Sequence, residues 1–402
     1  MALYKTASNL GDWTTSLLTF LSYTIIFIIV LRFLQFVAIR PAFRNTNNST
    51  ARPVFTNRRG GTNKMIPVPF SLRHVEEDNT TDPSAACSTN DTGDAPTEYE
   101  ASPADAIAVK KLLMAAGNLP LELADMIVDQ AEYWPCSSVT ADYSNLPSKV
   151  LGIRGSGNDE NKFLLRTEPL GLAHWTPLNH DSWRSTQALP RQLEREFDSD
   201  RFQEFVEELP PVPNHPVRKI VFNIRSSDQG WGGNHSDHGT YRHSWTWFDA
   251  GLERFDAEAQ CEENCPSYSA EQGKGKESRI CSCAVRPIWP AVASNEGNEG
   301  AVDPPRYHHD IHSTADHKIQ ANKVAAQGMH NHHIEWRWDD DVDPNSSAAE
   351  DLEKRGRGKA TGNGEFVRSL KLGDIVTVWG RARFPGWQNR VEKVEVKVYW
   401  AI

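Results

Sequence analysis

Residues Val217–Phe255, VRKIVFNIRSSDQGWGGNHSDHGTYRHSWTWFDAGLERF, decide the fold. Ile220, Phe222 and Ile224 alternate with polar Lys219, Asn223 and Arg225, the period of a strand with one buried face. A Gly-rich turn dense in Asp, His and Trp follows, and the chain returns through a second aromatic strand. The C-terminus repeats the arrangement: Ile375 to Phe384, the turn Pro385-Gly386-Trp387, and a closing strand to Trp400. In that last strand Val394, Val396, Val398 and Trp400 alternate with Lys393, Glu395, Lys397 and Tyr399, so the first set is expected inside. Two such hairpin-like units far apart in the chain predict a mainly β protein, a jelly-roll-like sandwich whose loops carry polar and aromatic residues.

Further strands are expected at Val150–Ile153, Lys162–Arg166, Arg218–Arg225, Thr240–Phe248, His333–Trp338 and Phe366–Leu370, with a short helix in Gln192–Leu209. Residues 257–330 and 339–364 read as long polar loops, the first as an insertion in a sandwich spanning 137–402. Before it, residues 103–136 form a helical segment. Ala106, Val109, Leu112, Leu113 and Ala116 recur at helical spacing up to Gly117-Asn118, and Leu119-Pro120 opens a second helix.

The N-terminus differs in kind. Ser16–Val30 is uncharged and mostly apolar, and residues 1–40 read as a single transmembrane anchor. Residues 41–102, rich in Asn, Thr, Pro, Ser and Asp, read as a disordered linker. Lys5 and Asp12 nearly cancel before the span, whereas Arg32, Arg40, Arg44, Arg52, Arg58 and Arg59 follow it with no acid until Glu76. The positive-inside rule then places the bulk of a single-pass protein in the cytosol. The sequons at Asn47, Asn48, Asn79, Asn90, Asn234 and Asn345 would go unused there. A net charge of −10 argues against a nucleic-acid partner, since phosphate binding needs a basic face.

Leu119, Pro120, Glu122, Leu123 and Ile127 resemble the opening of an F-box, which would imply docking to a ubiquitin-ligase adaptor. Pro135-Cys136-Ser137-Ser138 ends the likeness early. The sandwich segments are similar to galactose-binding-like jelly rolls, including the glycan-reading domain attached to some F-box proteins. The whole of 103–402 resembles a family of uncharacterised filamentous-fungal proteins that join a Leu-Pro-x-Glu-Leu helix ending in Glu-Tyr-Trp to an "RS-x-DQGW" block. Glu132-Tyr133-Trp134 and Arg225–Trp231 carry that match. The resemblance implies a fold and no activity.

Aromatic faces stack on sugars, and Asp, His and Arg bond hydroxyls. Asp228, Trp231, His238, Tyr241, Arg383 and Trp387 are therefore the expected ligand-binding set, with a protein or a glycoconjugate as partner. Trp231 and Trp387 weigh most, because both sit in turns; Trp245, Trp247, Trp379 and Trp400 read as core. The two tryptophan loops are expected at the same end of the sandwich.

Other clusters compete. Cys261, Cys265, Cys281 and Cys283 could hold zinc, pair as disulfides in a lumenal setting, or stay as thiols. His308, His309, His312 and His317, then His330, His332 and His333, suggest a metal-dependent enzyme as the alternative function. No phosphate loop, nucleophile elbow or other catalytic motif is present, and no cofactor or catalytic residue is assigned.

Overall fold

A computed structural model describes residues 100–177, 179–212, 214–260, 280–293 and 304–402. The candidate span Ser16–Val30, the linker up to residue 99, Cys261 and Cys265 lie outside the described residues. Among those described, no helix is long and apolar enough to cross a membrane.

The chain from Glu100 onward is mainly β, built on two antiparallel five-stranded sheets. In the first sheet, β10 (Gln388–Trp400) and β4 (Val217–Ser227) are central and β8 (His330–Arg337) pairs with β4. β1 (Cys136–Asp142) and β2 (Leu151–Arg154) share the other edge of β10. In the second sheet, β3 (Asn161–Arg166), β9 (Ile375–Ala382) and β5 (Thr246–Phe255) lie side by side. β6 (Val285–Trp289) and β7 (Lys318–Ala321) share the far edge of β5.

One core is filled from both sheets. Ile220, Phe222 and Ile224 of β4 and Val394, Val396 and Val398 of β10 meet Phe248, Ala250 and Leu252 of β5 and Val376 and Val378 of β9. The period-2 reading of the first and last strands holds, and Trp400 is buried with its set. Each of the Val, Leu, Ile and Phe side chains contributes about 1.5–3 kcal/mol through removal from water.

The second sheet is covered on both faces. Every residue of β9 is buried, and so are nine tenths of β5. The outer face carries Asp249, Glu253, Thr377, Trp379 and Arg381 under a second apolar cluster and the segment 304–317. Phe197 and Phe202 pack on Phe255 there, at 6.2 and 6.1 Å between rings. The helix expected in Gln192–Leu209 is reduced to a 3₁₀ stretch, Ser199–Phe205.

The helical segment forms α1 (Pro103–Gly117) and α2 (Leu121–Gln130). Ser102 and Asp105 form a reciprocal capping box at the start of α1, and Asn118 ends it in the left-handed region, φ 47°. Asp129 Oδ1 accepts from Trp134 Nε1 at 2.8 Å and from Arg218 Nε at 2.7 Å, tying α2 to β4. Buried Lys110 joins Asp125 to the carbonyl of Ile402, so the pair rests on the end of β10. Ala124 and Val128 face inward, while Leu121, Leu123 and Met126 are exposed.

Three expectations need correction. Phe366–Leu370 is not a strand but holds α5 (Glu365–Ser369), which follows α3 (His180–Ser185) and α4 (Ser347–Lys354). Leu370 lies four residues from Phe366 and three from Val367, a helical spacing. The strand expected from Thr240 begins at Thr246, because Gly239 and His243 take positive φ and turn the chain. Residues 257–330 are not a bare insertion, since β6 and β7 complete the second sheet.

Phe222 sits edge-on to Trp336 at 5.0 Å with no exposure. Phe222→Ala should therefore lower stability by about 3–5 kcal/mol in urea titration. Lys393→Ala on the outer face of β10 should change it by under about 0.5 kcal/mol. Equal costs would mean that the period-2 reading does not define the core.

Candidate ligand-binding site

β4 ends at Ser227, and the next residue turns back into the protein. Asp228 is 1 % exposed. Its Oδ1 accepts from Gly230 N at 2.8 Å and its Oδ2 from Ala325 N at 2.5 Å. Burial raises its carboxyl above the usual range, against the pull of those two N–H groups. Gln229 continues the bracing: its Nε2 donates to Trp231 O at 2.6 Å, and Gln388 N donates to its Oε1 at 3.1 Å. Gly230, Gly232 and Gly233 take φ of 83°, 90° and 73°, a conformation that a side chain would strain. Held this way, Trp231 is 64 % exposed.

The β9–β10 turn meets this loop. A Cβ built on Gly386 would lie 3.7 Å from Trp231 Cη2, and one on Gly233 would lie 3.8 Å from Trp387 Cη2. Trp387, half-buried, is fixed by its carbonyl, which accepts from Gly155 N at 2.9 Å. The two tryptophan loops thus lie at one end of the sandwich, as their turn positions led us to expect. His238 belongs to the same patch, exposed, with Nε2 3.0 Å from Gly232 O.

The other expected residues divide differently. Asp228 braces the loop from within, as described. Arg383 is buried and bonded to its own chain: it donates to Asn161 Oδ1 at 2.8 Å and to Asp310 O at 2.6 Å, and lies over the Trp247 ring at 5.2 Å. Tyr241 is half-buried against Gly356, 6.4 Å from the His332 ring, with Lys323 Nζ 5.8 Å from its own ring.

Two aromatic residues outside the expected ligand-binding set join the patch. Phe384, at φ 66°, is 46 % exposed. Trp245, which the reading assigned to the core, stands half-buried before β5, edge-on to Phe384 at 4.5 Å and 5.4 Å from the His312 ring. The signal for Phe384 was its place just before Pro385-Gly386. For Trp245 the signal was masked by placing the strand start too early.

The histidines mostly serve the fold. His309 Nδ1 lies 2.8 Å from Arg381 Nη1 and accepts from it. Burial, with Arg381 and Arg383 beside it, pulls the imidazole down to about 3. His317 stacks on Trp289 at 4.1 Å, and burial lowers it too. His330 and His332 point into the sandwich from β8, with both Nε2 atoms buried and unpartnered. Burial, then His330, Lys323 and Arg357, pulls His332 down to about 4. Cys283 Sγ and Cys281 Sγ are 2.9 Å apart. Among the described residues, no three His, Cys, Asp or Glu side chains stand where they could share a metal ion.

Comparison with known proteins finds no family model, no curated protein and no solved structure that matches this chain.

A pH dependence follows from the depressed imidazoles. In the folded chain His309 and His332 titrate below the ordinary 6.5, so between that value and the folded ones the unfolded chain binds more protons. Their contribution to stability is complete above about pH 6.5 and is lost as pH falls through about 4 and then 3. His309→Asn keeps an acceptor for Arg381 but cannot titrate. Its melting temperature should fall less steeply than the parent's between pH 6.5 and 4; parallel curves would remove His309 from this role.

Proposed function

We propose that the chain is a binding protein, tethered to a membrane by its N-terminal apolar segment, whose sandwich recognises a protein or glycoconjugate ligand. The loops between β4 and β5 and between β9 and β10 form the recognising surface. One observation carries this reading: Trp231 and Phe384 stand exposed on a floor that Asp228, Gln229 and three positive-φ glycines hold rigid. Large aromatic side chains on pre-ordered loops bind at small entropic cost. We read the sandwich as jelly-roll-like, consistent with ligand contact at the loop end. Arginines follow Ser16–Val30, which supports a cytosolic position for the domain.

A second reading has its own observation. Leu112 of α1 and Leu121, Leu123 and Met126 of α2 are exposed although the helices are docked on β10. Exposed apolar residues on these helices suit the adaptor contact that the F-box-like opening implies. It is compatible with the first reading, since ligand loops and helix pair use different residues.

Trp231→Ala and Phe384→Asn test the main reading, Asn being tolerant of positive φ. Trp231 is exposed, so its replacement should change stability by only about 0.5 kcal/mol, and loss of the Phe384–Trp245 ring pair should cost about 1 kcal/mol. Capture by the full-length chain from immobilised oligosaccharides and detergent-solubilised glycoproteins should be lost. Retained capture in the double variant, or a large drop in melting temperature, would remove these loops as the recognising surface.

A further inference from the structure

Two cysteines meet where the chain enters β6. Cys281 caps a 3₁₀ turn, Ser282–Ala284, and Cys283 lies within it. Their Sγ atoms are 2.9 Å apart. Cys281 Sγ also accepts from Cys283 N at 3.4 Å, which keeps both side chains on one side of the turn. Both residues are half-buried and Ser282 between them is exposed, so the turn stands at the surface. A disulfide bond measures about 2.0 Å, so the sulfurs are within roughly 0.9 Å of bonding.

The surrounding fold sets this approach. Ala284 N donates to Cys281 O at 3.0 Å, and Asp256 N, just past β5, donates to Ala284 O at 2.9 Å. Buried Arg286 donates from Nη1 to Cys283 O at 2.7 Å, and its Nε lies 3.4 Å from Asp256 Oδ2. Ile280 before the pair and Ala284 after it are buried in the second apolar cluster. Bonding the sulfurs therefore asks for side-chain rotation, not for movement of the backbone. Structural zinc takes four ligands, and among the described residues no third His, Cys, Asp or Glu joins the two sulfurs.

We propose that Cys281 and Cys283 form a dithiol–disulfide centre that exchanges with small-molecule disulfides. The thiolate of one cysteine attacks a sulfur of the small disulfide, leaving a mixed disulfide and releasing one thiol. The other cysteine attacks the protein sulfur of that mixed disulfide, closes the Cys281–Cys283 bond and releases the second thiol. Two electrons pass from the cysteines to the small disulfide, and the two cysteine protons leave on the released thiols. A disulfide at an exposed turn is of the labile kind that such thiols open again. Cys136, in the first sheet, offers a contrast: burial pushes its thiol up to about 12, which keeps it protonated and unreactive at neutral pH. The centre uses no residue of the loop end.

The experiment equilibrates the full-length chain with mixtures of glutathione and glutathione disulfide. Acid quenching, unfolding, alkylation and peptide mapping then read the state of each cysteine. The expected result is a reversible loss of two alkylatable thiols, both in the peptide that holds Cys281 and Cys283, with Cys136 alkylated throughout. Cys283→Ser should stop the reaction at one glutathione bound to Cys281. Melting curves of the reduced and oxidised chain should nearly coincide; a marked fall on oxidation would show that the turn must break before the bond can form. Three other results overturn the proposal: both thiols persisting in excess glutathione disulfide, Cys281 or Cys283 pairing with Cys261 or Cys265 instead, or stoichiometric zinc that leaves the chain only when these two cysteines are alkylated.

Discussion

The buried pair between Arg381 and Asp249 is the interaction on which the second half of the molecule is built. Arg381 is 2 % exposed, donates to Asp249, Asn161 and His309, and packs 5.1 Å over the Trp379 ring. Burial lowers its pKa, and Asp249 opposes that. Taking such charges out of water costs several kcal/mol per ion, which good geometry roughly offsets, whereas removing one partner leaves about 3–5 kcal/mol uncompensated. The pair therefore adds little net stability but fixes where things go. The segment 304–317 lies over it, with the Asp310 carbonyl on Arg383 and His309 on Arg381. Under this cover Asp249 Oδ1 is buried without a hydrogen-bond partner.

A similar division of labour explains the loop end. Asp228 was attractive as a ligand contact because it stands beside Trp231 in a Gly-rich turn. Its carboxylate is instead used to hold that turn, reaching both its own loop and Ala325. What the ligand can meet is the aromatic side chain that Asp228 positions. Arg383, just past the end of β9 in the other sheet, is likewise consumed by its own chain. Charged residues in a rigid binding loop are often consumed by making it rigid, and exposure separates the two roles.

The legibility of the sequence follows these physical limits. β4 and β10 were readable because each has one buried and one wetter face, so apolar residues alternate. β5 was readable only in part. Buried on both faces, it shows Asp249, Gly251 and Glu253 at positions that look solvent-facing, and nothing local reveals the arginines that pair with them. β7 has four residues, Lys318–Ala321, and its partner Trp247 lies 74 residues earlier at Ala321, so a polar reading of 257–330 overlooked it. At the site, Trp231 and Trp387 stood out because Gly and Pro neighbours denied them a strand.

Strand register links this site to the core. Ser227 pairs with Arg390, and a shift between Val391 and Lys393 resets the ladder before Val394 meets Ile224. A bulge there lets Val391, Val394, Val396 and Val398 all face inward while the short segment beyond delivers Trp387 beside Gly233. Sliding β10 by one residue would send its valines to solvent. The same slide would move Trp387 about 3.3 Å along the strand, away from Gly233 and the Trp231 loop. The convergence of the two loops is thus not an independent feature of the surface. It is enforced by the same apolar alternation that fills the core, so a sequence that packs β10 correctly also assembles the aromatic end.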